Sequence, residues 1–198
     1  ELQKMAGLNV DPDVPIVAMI SRLAEHKGFD IVKFGIDGIM QNNNIQFVLL
    51  GTGDPDTENF FRGLASRYPG RAASLIKYDR KLSKQIYAGA DIFLMPSKSE
   101  ACGLAQMIAS RYGTVPIVRE AGGLYDTIKP YYEGEGNGFT FAAYNARDML
   151  SVIDQAIALY HDKEKWTALV KKVMKVDFSW NVSAEKYAEL FLSLSPEN

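Results

Sequence analysis

A single cysteine, Cys102, occurs in 198 residues. No intrachain disulfide can form and no thiolate cluster can hold a metal, a pattern that fits a reducing compartment, with the cytoplasm as the default expectation. An excess of charge of either sign is also lacking. The 22 Lys and Arg residues stand against 24 Asp and Glu, for a formal net charge of -2, and the two signs are interspersed along the chain. That balance offers no electrostatic foothold to nucleic acid or to an anionic membrane, so any phosphate must be bound by a local arrangement. No run reaches the roughly 18 apolar residues that span a bilayer. The first residues, Glu1-Leu2-Gln3-Lys4, lack the apolar core of a signal peptide and read as the interior of a longer chain.

What is present is apolar content of 47%, including 11% aromatic residues, enough to bury one substantial core and consistent with one domain over residues 1–198. Short apolar runs alternate with longer segments of helical period. Strands are expected at 14–20, 45–50, 72–76, 92–95 and 115–118, with a brief sixth at 139–141. Between them Val32, Ile36, Ile39 and Met40, and then Phe60, Phe61, Leu64 and Tyr68, recur at helical spacing and present one apolar stripe each. This is the α/β pattern of a parallel sheet wrapped by helices on both faces. Later, Met149, Val152, Ile153, Ala156, Ile157 and Tyr160 mark an amphipathic helix, and 183–194 reads as another. No repeat, low-complexity tract or second-domain boundary is visible.

Open α/β sheets bind ligands outside the carboxyl ends of their strands, so the loops at that edge carry the functional signal. After the first strand, Arg22 and Lys27 flank a loop ending in Gly28, an arrangement that can aim a guanidinium and an ammonium at one diphosphate; solvated surface residues are the plain alternative. After the second, Gly51-Thr52-Gly53-Asp54 permits close approach by a ligand or forms a tight turn, and it lacks the glycine spacing of a redox dinucleotide fingerprint. After the fourth, Glu100 immediately precedes a glycine-bearing helix start. It can hydrogen-bond sugar hydroxyls while the helix amides receive phosphate, or it can simply cap the helix. Cys102 is expected to be packed rather than reactive.

Several stretches in order, Ser21-Arg22-Leu23 with Lys27-Gly28-Phe29-Asp30, Leu49-Leu50-Gly51-Thr52-Gly53-Asp54, Ile86-Tyr87-Ala88-Gly89-Ala90-Asp91, Glu100-Ala101-Cys102-Gly103-Leu104, Arg111-Tyr112-Gly113-Thr114-Val115-Pro116, Gly122-Gly123-Leu124-Tyr125-Asp126-Thr127 and Asp177-Phe178-Ser179-Trp180, resemble the C-terminal domain of bacterial glycogen synthases and plant starch synthases. The resemblance covers nearly the whole chain. It implies the GT-B arrangement, two Rossmann-like domains facing across a cleft, with this chain as the C-terminal half that binds the donor nucleotide sugar.

By that resemblance Arg22 and Lys27 neutralise the donor diphosphate as the glycosidic bond breaks, and Glu100 contacts the donor glucose without acting as a nucleophile. Tyr78 stacks on the nucleotide base, with a partly buried packing tyrosine as its alternative. The amides of Gly103 and Leu104 meet phosphate, and Gly51, Gly53, Cys102, Gly122 and Gly123 complete the donor-binding set. The reaction implied is transfer of glucose from ADP-glucose, in preference to UDP-glucose, to the non-reducing end of an α-1,4-glucan with retention of configuration, releasing ADP and using no cofactor or metal. Glycogen or starch is the acceptor, a preceding N-terminal domain is the partner, and the C-terminal helix crosses back towards it. The compartment is the cytoplasm, or the plastid for a plant chain. The chain alone is expected to be inactive. A GT-B transferase with another acceptor, or a nucleotide-binding paralogue without transfer, are the competing functions. Three positions depart from the family pattern: Ala101 in place of proline, Ala105 in place of a small polar residue, and Lys77 where glycine is common.

Overall fold

A computed structural model describes residues 1–194. In chain order the elements are α1 (Leu2–Ala6), β1 (Ile16–Ile20), α2 (Phe29–Asn42), β2 (Gln46–Leu50), α3 (Pro55–Arg67), β3 (Ala72–Leu75), α4 (Arg80–Gly89) and β4 (Ile92–Met95). There follow α5 (Ala105–Tyr112), β5 (Val115–Arg119), α6 (Gly123–Thr127), β6 (Phe139–Phe141), α7 (Ala146–His161), α8 (Lys163–Lys175) and α9 (Trp180–Leu194). A single 3-10 turn, Glu25–Lys27, precedes α2. The six strands form one sheet in the order β3-β2-β1-β4-β5-β6, and every pairing is parallel.

Alternation along each strand feeds two cores. Val17, Met19, Phe47, Leu49, Ile92, Leu94 and Ile117 face one way and pack under α2, α3, α7 and α8, through residues such as Ile36, Phe61, Ile153 and Leu169. Ile16, Ala18, Val48, Leu50, Phe93, Met95 and Val118 face the other way and pack under α1, α4, α5 and α6, through Leu2, Ile86, Ala109 and Leu124. Burial on both faces explains why the strands read as continuous apolar runs rather than as an alternating pattern.

The expected strands are all present, with small shifts at their ends. The first begins at Ile16 rather than at residue 14, because Pro15 has no N–H to donate to a ladder; its carbonyl still accepts from Gln46 N at 2.9 Å. Helix α8 was not foreseen, although Trp166, Leu169 and Val173 are buried at helical spacing. The helix expected at 183–194 begins three residues earlier, at Trp180, and buries no residue.

At the opposite edge from the loops of interest, Asp91 braces the sheet. Its Oδ2 accepts from Ile16 N at 2.8 Å, and its own amide donates to Ile16 O at 3.0 Å. Burial pushes this carboxyl up to about 6 from 3.8, against the opposing pull of the Ile16 amide and of Lys163. The folded chain therefore holds this proton more tightly than the unfolded chain, and the stability it contributes is present below about pH 3.8 and lost as pH rises through 6. Asp91→Asn keeps an acceptor and removes the titration. In urea denaturation the advantage of wild type over this variant should shrink by up to about 3 kcal/mol between pH 4 and 6.5; parallel profiles would refute the assignment.

Candidate functional site

Strands β1 and β4 are neighbours although two strand-helix units separate them in sequence. The loops leaving them diverge to opposite faces, which opens a crevice at the carboxyl edge where the strand order reverses. Two clefts of about 210 Å³ each occupy that edge. One is lined by residues at the ends of β1 and β4, among them Arg22, Lys27, Ser97, Glu100, Gly103 and Leu104. The other lies over β1 and β2 and is lined by Gly51, Thr52, Lys77, Tyr78, Arg80 and Ser83 among others. Ile20, Ser21 and Arg22 border both.

Backbone packing assembles the first cleft. Gly28 adopts φ 79°, and a Cβ there would lie 2.0 Å from the Pro96 carbonyl oxygen. Only glycine lets the two loops come this close. The amides of Lys98 and Ser99 then donate to His26 O at 2.8 and 3.3 Å. This stitching brings Lys27 Nζ to 2.5 Å from Glu100 Oε2, with the two side chains 17% and 12% exposed. The same Oε2 accepts from the buried Ser97 hydroxyl at 3.2 Å. Arg22 is exposed, and among the described residues its guanidinium has no hydrogen-bond or ion-pair partner.

Helix capping divides along the same line. Asp54 caps α3, accepting from Thr57 N at 2.8 Å, and Asp79 caps α4, accepting from Leu82 N at 2.9 Å. The Leu82 amide and the Lys77 ammonium hold the Asp79 carboxyl below its ordinary value. By contrast α2 and α5, which follow β1 and β4, begin at Gly28 and Leu104 with no side-chain cap. Uncapped N-terminal amides beside a cleft with an unpaired guanidinium suit an anion.

Residues 2–173 match the family described as glycosyl transferases group 1. The chain belongs to that family. It resembles the glycogen synthase of Clostridium perfringens, 50% identical over 195 residues that make up 98% of this chain and 40% of the relative. The glycogen synthase of Bacillus licheniformis is 47% identical over 192 residues, 96% of this chain and 40% of the relative. The chain thus spans about 40% of the length of these curated relatives. Among solved structures, the catalytic domain of starch synthase IV from Arabidopsis thaliana bound to ADP and acarbose matches with a TM-score of 0.86 and 38% identity, over 97% of this chain and 41% of that one. A sucrose-phosphate synthase from Thermosynechococcus elongatus, 23% identical with a TM-score of 0.68 over 94% of this chain and 47% of that one, shares the fold. The sheet is the Rossmann-like fold of GT-B transferases.

The residues expected at the site are gathered only in part. Arg22, Lys27, Glu100, Gly103 and Leu104 share the first cleft, while Gly51 and Tyr78 line the second. Tyr78 is 87% exposed, which removes the packing alternative. Glu100 bonds Lys27 and Ser97 and does not cap α5, which removes the capping alternative. Gly53, Cys102, Gly122 and Gly123 line neither cleft. Gly53 packs on Leu23, with Leu23 N donating to Thr52 O at 3.0 Å and Asp54 N donating to Leu23 O at 2.8 Å. Gly122 and Gly123 lie against the backbone of Glu100 and Cys102, where any Cβ would fall 2.0 and 2.1 Å from their carbonyl oxygens. They support the loop that carries Glu100.

Cys102 is exposed, contrary to the expectation that it packs. Its backbone takes the space against Gly123 and leaves the thiol outside. Sequence reasoning missed Ser97, whose burial and bond to Glu100 depend on the fold, and it missed Arg80 and Ser83, which reach the second cleft from the first turn of α4. Of the three departures, Ala105 lines the first cleft, Lys77 lines the second and pairs with Asp79 at 3.2 Å, and Ala101 is exposed.

Because Gly28 combines a left-handed φ with contact to Pro96 O, Gly28→Ala should cost about 3 kcal/mol of stability and separate Lys27 from Glu100. Urea denaturation measures the first effect; an unchanged midpoint would show that the loops do not depend on this contact.

Proposed function

We propose that this chain is the donor-binding half of an α-glucan synthase, which moves glucose from ADP-glucose to the non-reducing end of an α-1,4-glucan such as glycogen, with retention of configuration. The observation that carries this reading is Arg22, whose guanidinium, partnerless among the described residues, lies on the border between the two clefts. A diphosphate seated there has its nucleoside over Tyr78 in the second cleft and its sugar beside Glu100 in the first. The names of the relatives, glycogen synthase, and the ADP bound to the starch synthase IV structure support the substrate class.

As the bond from glucose to the diphosphate breaks, negative charge grows on the departing phosphate oxygen. Arg22, Lys27, whose ammonium is shared with Glu100, and the uncapped amides at the start of α5 face this cleft and receive it. Glu100 orients the sugar through its hydroxyls, and the acceptor hydroxyl oxygen bonds the anomeric carbon on the face from which the diphosphate departs, giving its proton to the departing phosphate oxygen, without a covalent bond to the protein. The acceptor and its contacts belong to an N-terminal GT-B domain within the other 60% or so of the relatives' length. The apolar side chains of α9, with Trp180 at 84% and Leu192 at 74% exposed, are the surface that domain covers. The cytoplasm is the proposed compartment; no helix among the described residues is long and apolar enough to cross a membrane.

In the full-length enzyme, Arg22→Ala and Lys27→Ala should each lower kcat roughly a hundredfold, the loss expected for removing one preorganised charge worth about 3 kcal/mol. Incorporation of labelled glucose into glycogen measures this, and near-normal turnover in both variants would falsify the diphosphate assignment. Tyr78→Ala should weaken ADP binding at least tenfold while leaving pyrophosphate binding within twofold, since only ADP carries a base to stack. Equal losses for the two ligands in calorimetry would remove Tyr78 from the base site.

A further inference from the structure

Arg119 ends β5 and lines neither cleft, yet it grips the segment that carries Glu100. Its Nη1 donates to Lys98 O at 2.9 Å and to Ser97 O at 3.4 Å. The guanidinium carbon sits 5.3 Å from the centroid of the Tyr144 ring, and the Tyr144 hydroxyl donates to Asp30 in the first turn of α2. Among the described residues no carboxylate pairs with Arg119, and its buried Nε has no partner. This cation is held by two carbonyl dipoles and one aromatic face, an arrangement that does little to repay its desolvation. Its consequence is geometric. His26 O holds the amides of Lys98 and Ser99 from one side while Arg119 holds the carbonyls of Ser97 and Lys98 from the other.

We propose that Arg119 is a positioning residue for catalysis, which fixes Ser97 and Glu100 so that the Glu100 carboxylate meets Lys27 and the donor sugar together. The proposal rests on the reading of Glu100 as a donor-sugar contact. Without Arg119 the segment keeps its amide bonds to His26 but loses the restraint on its carbonyl side, and Glu100 is free to drift. A misplacement of about 1 Å in such a group lowers turnover on the order of a hundredfold.

The test is a mutant cycle in the full-length enzyme. Arg119→Met should lower kcat roughly a hundredfold while the inhibition constant for ADP, which has no sugar to orient, stays within threefold. Arg119→Lys, which returns a donor to the two carbonyls, should recover to within about tenfold of wild type. In the Glu100→Gln background, Arg119→Met should cost less than a further threefold, because it acts through the carboxylate already removed. Full multiplication of the two effects, or near-normal kcat in Arg119→Met beside an impaired Glu100→Gln, would overturn the proposal. Near-normal kcat in Glu100→Gln itself would instead refute the reading on which it rests. Urea midpoints monitor folding, and should Arg119→Met not fold, the same cycle with Arg119→Lys decides: about tenfold alone and under threefold with Glu100→Gln supports the proposal, and independent effects overturn it.

Discussion

The backbone of Gly28 lies against the carbonyl of Pro96, and this contact between the loops that follow β1 and β4 is the constraint on which the site depends. Strand order alone places the two loops side by side, but it does not bring their backbones into contact. The missing Cβ lets them meet, after which His26 O can accept from Lys98 and Ser99, and Lys27 can reach Glu100. An ion pair this sheltered, with a third group, Ser97, bonded to the same oxygen, is expensive to assemble from unfolded chain. The fold meets that cost with rigid backbone packing beneath the pair, and so specifies one geometry rather than gaining much stability.

Electrostatic provision follows the same geography. The helices after β2 and β3 receive aspartate caps, which satisfy their first amides and stabilise those ends by about 1 kcal/mol each. The helices after β1 and β4 do without, leaving their amides and the partial positive charge of their N-termini directed to the crevice. Together with Arg22, unpaired among the described residues, this leaves a local positive field in a chain whose net charge is only -2. The glycines divide in the same way. Gly103 lines the first cleft, while Gly122 and Gly123 serve the loop behind it, so a glycine-rich edge is partly cleft wall and partly a spacer between loops.

The apolar cores were legible from sequence because period is a local property. Runs such as Phe47 to Leu50 are buried on both sides, and stripes such as Val32, Ile36, Ile39 and Met40 need only a helix to align them. Helix α8 escaped because its buried residues, Trp166, Leu169 and Val173, are few and sit in a helix that carries five lysines, whose charge masks the period. Helix α9 was legible as a helix from its period, while its expected course away from this core came only from the family resemblance, since an apolar face implies a partner without saying where the partner is.

The sequence by itself determined the class of fold, the edge of the sheet where polar and glycine-rich loops gather, and the candidates Arg22, Lys27 and Glu100, because strand runs, turn residues and charges next to glycines are all written within a few positions of one another; Tyr78 was named only through the family resemblance. Only the tertiary structure decided which candidates meet. Lys27 and Glu100 are 73 residues apart, and Arg119 reaches Ser97 and Lys98 from the next strand. Such pairings depend on strand order and on backbone approaches at Gly28 and Gly122, which leave no local period or composition to read. For the same reason Cys102 looked like a core residue: its burial is set by how loop backbone packs on Gly123, not by its own apolar character.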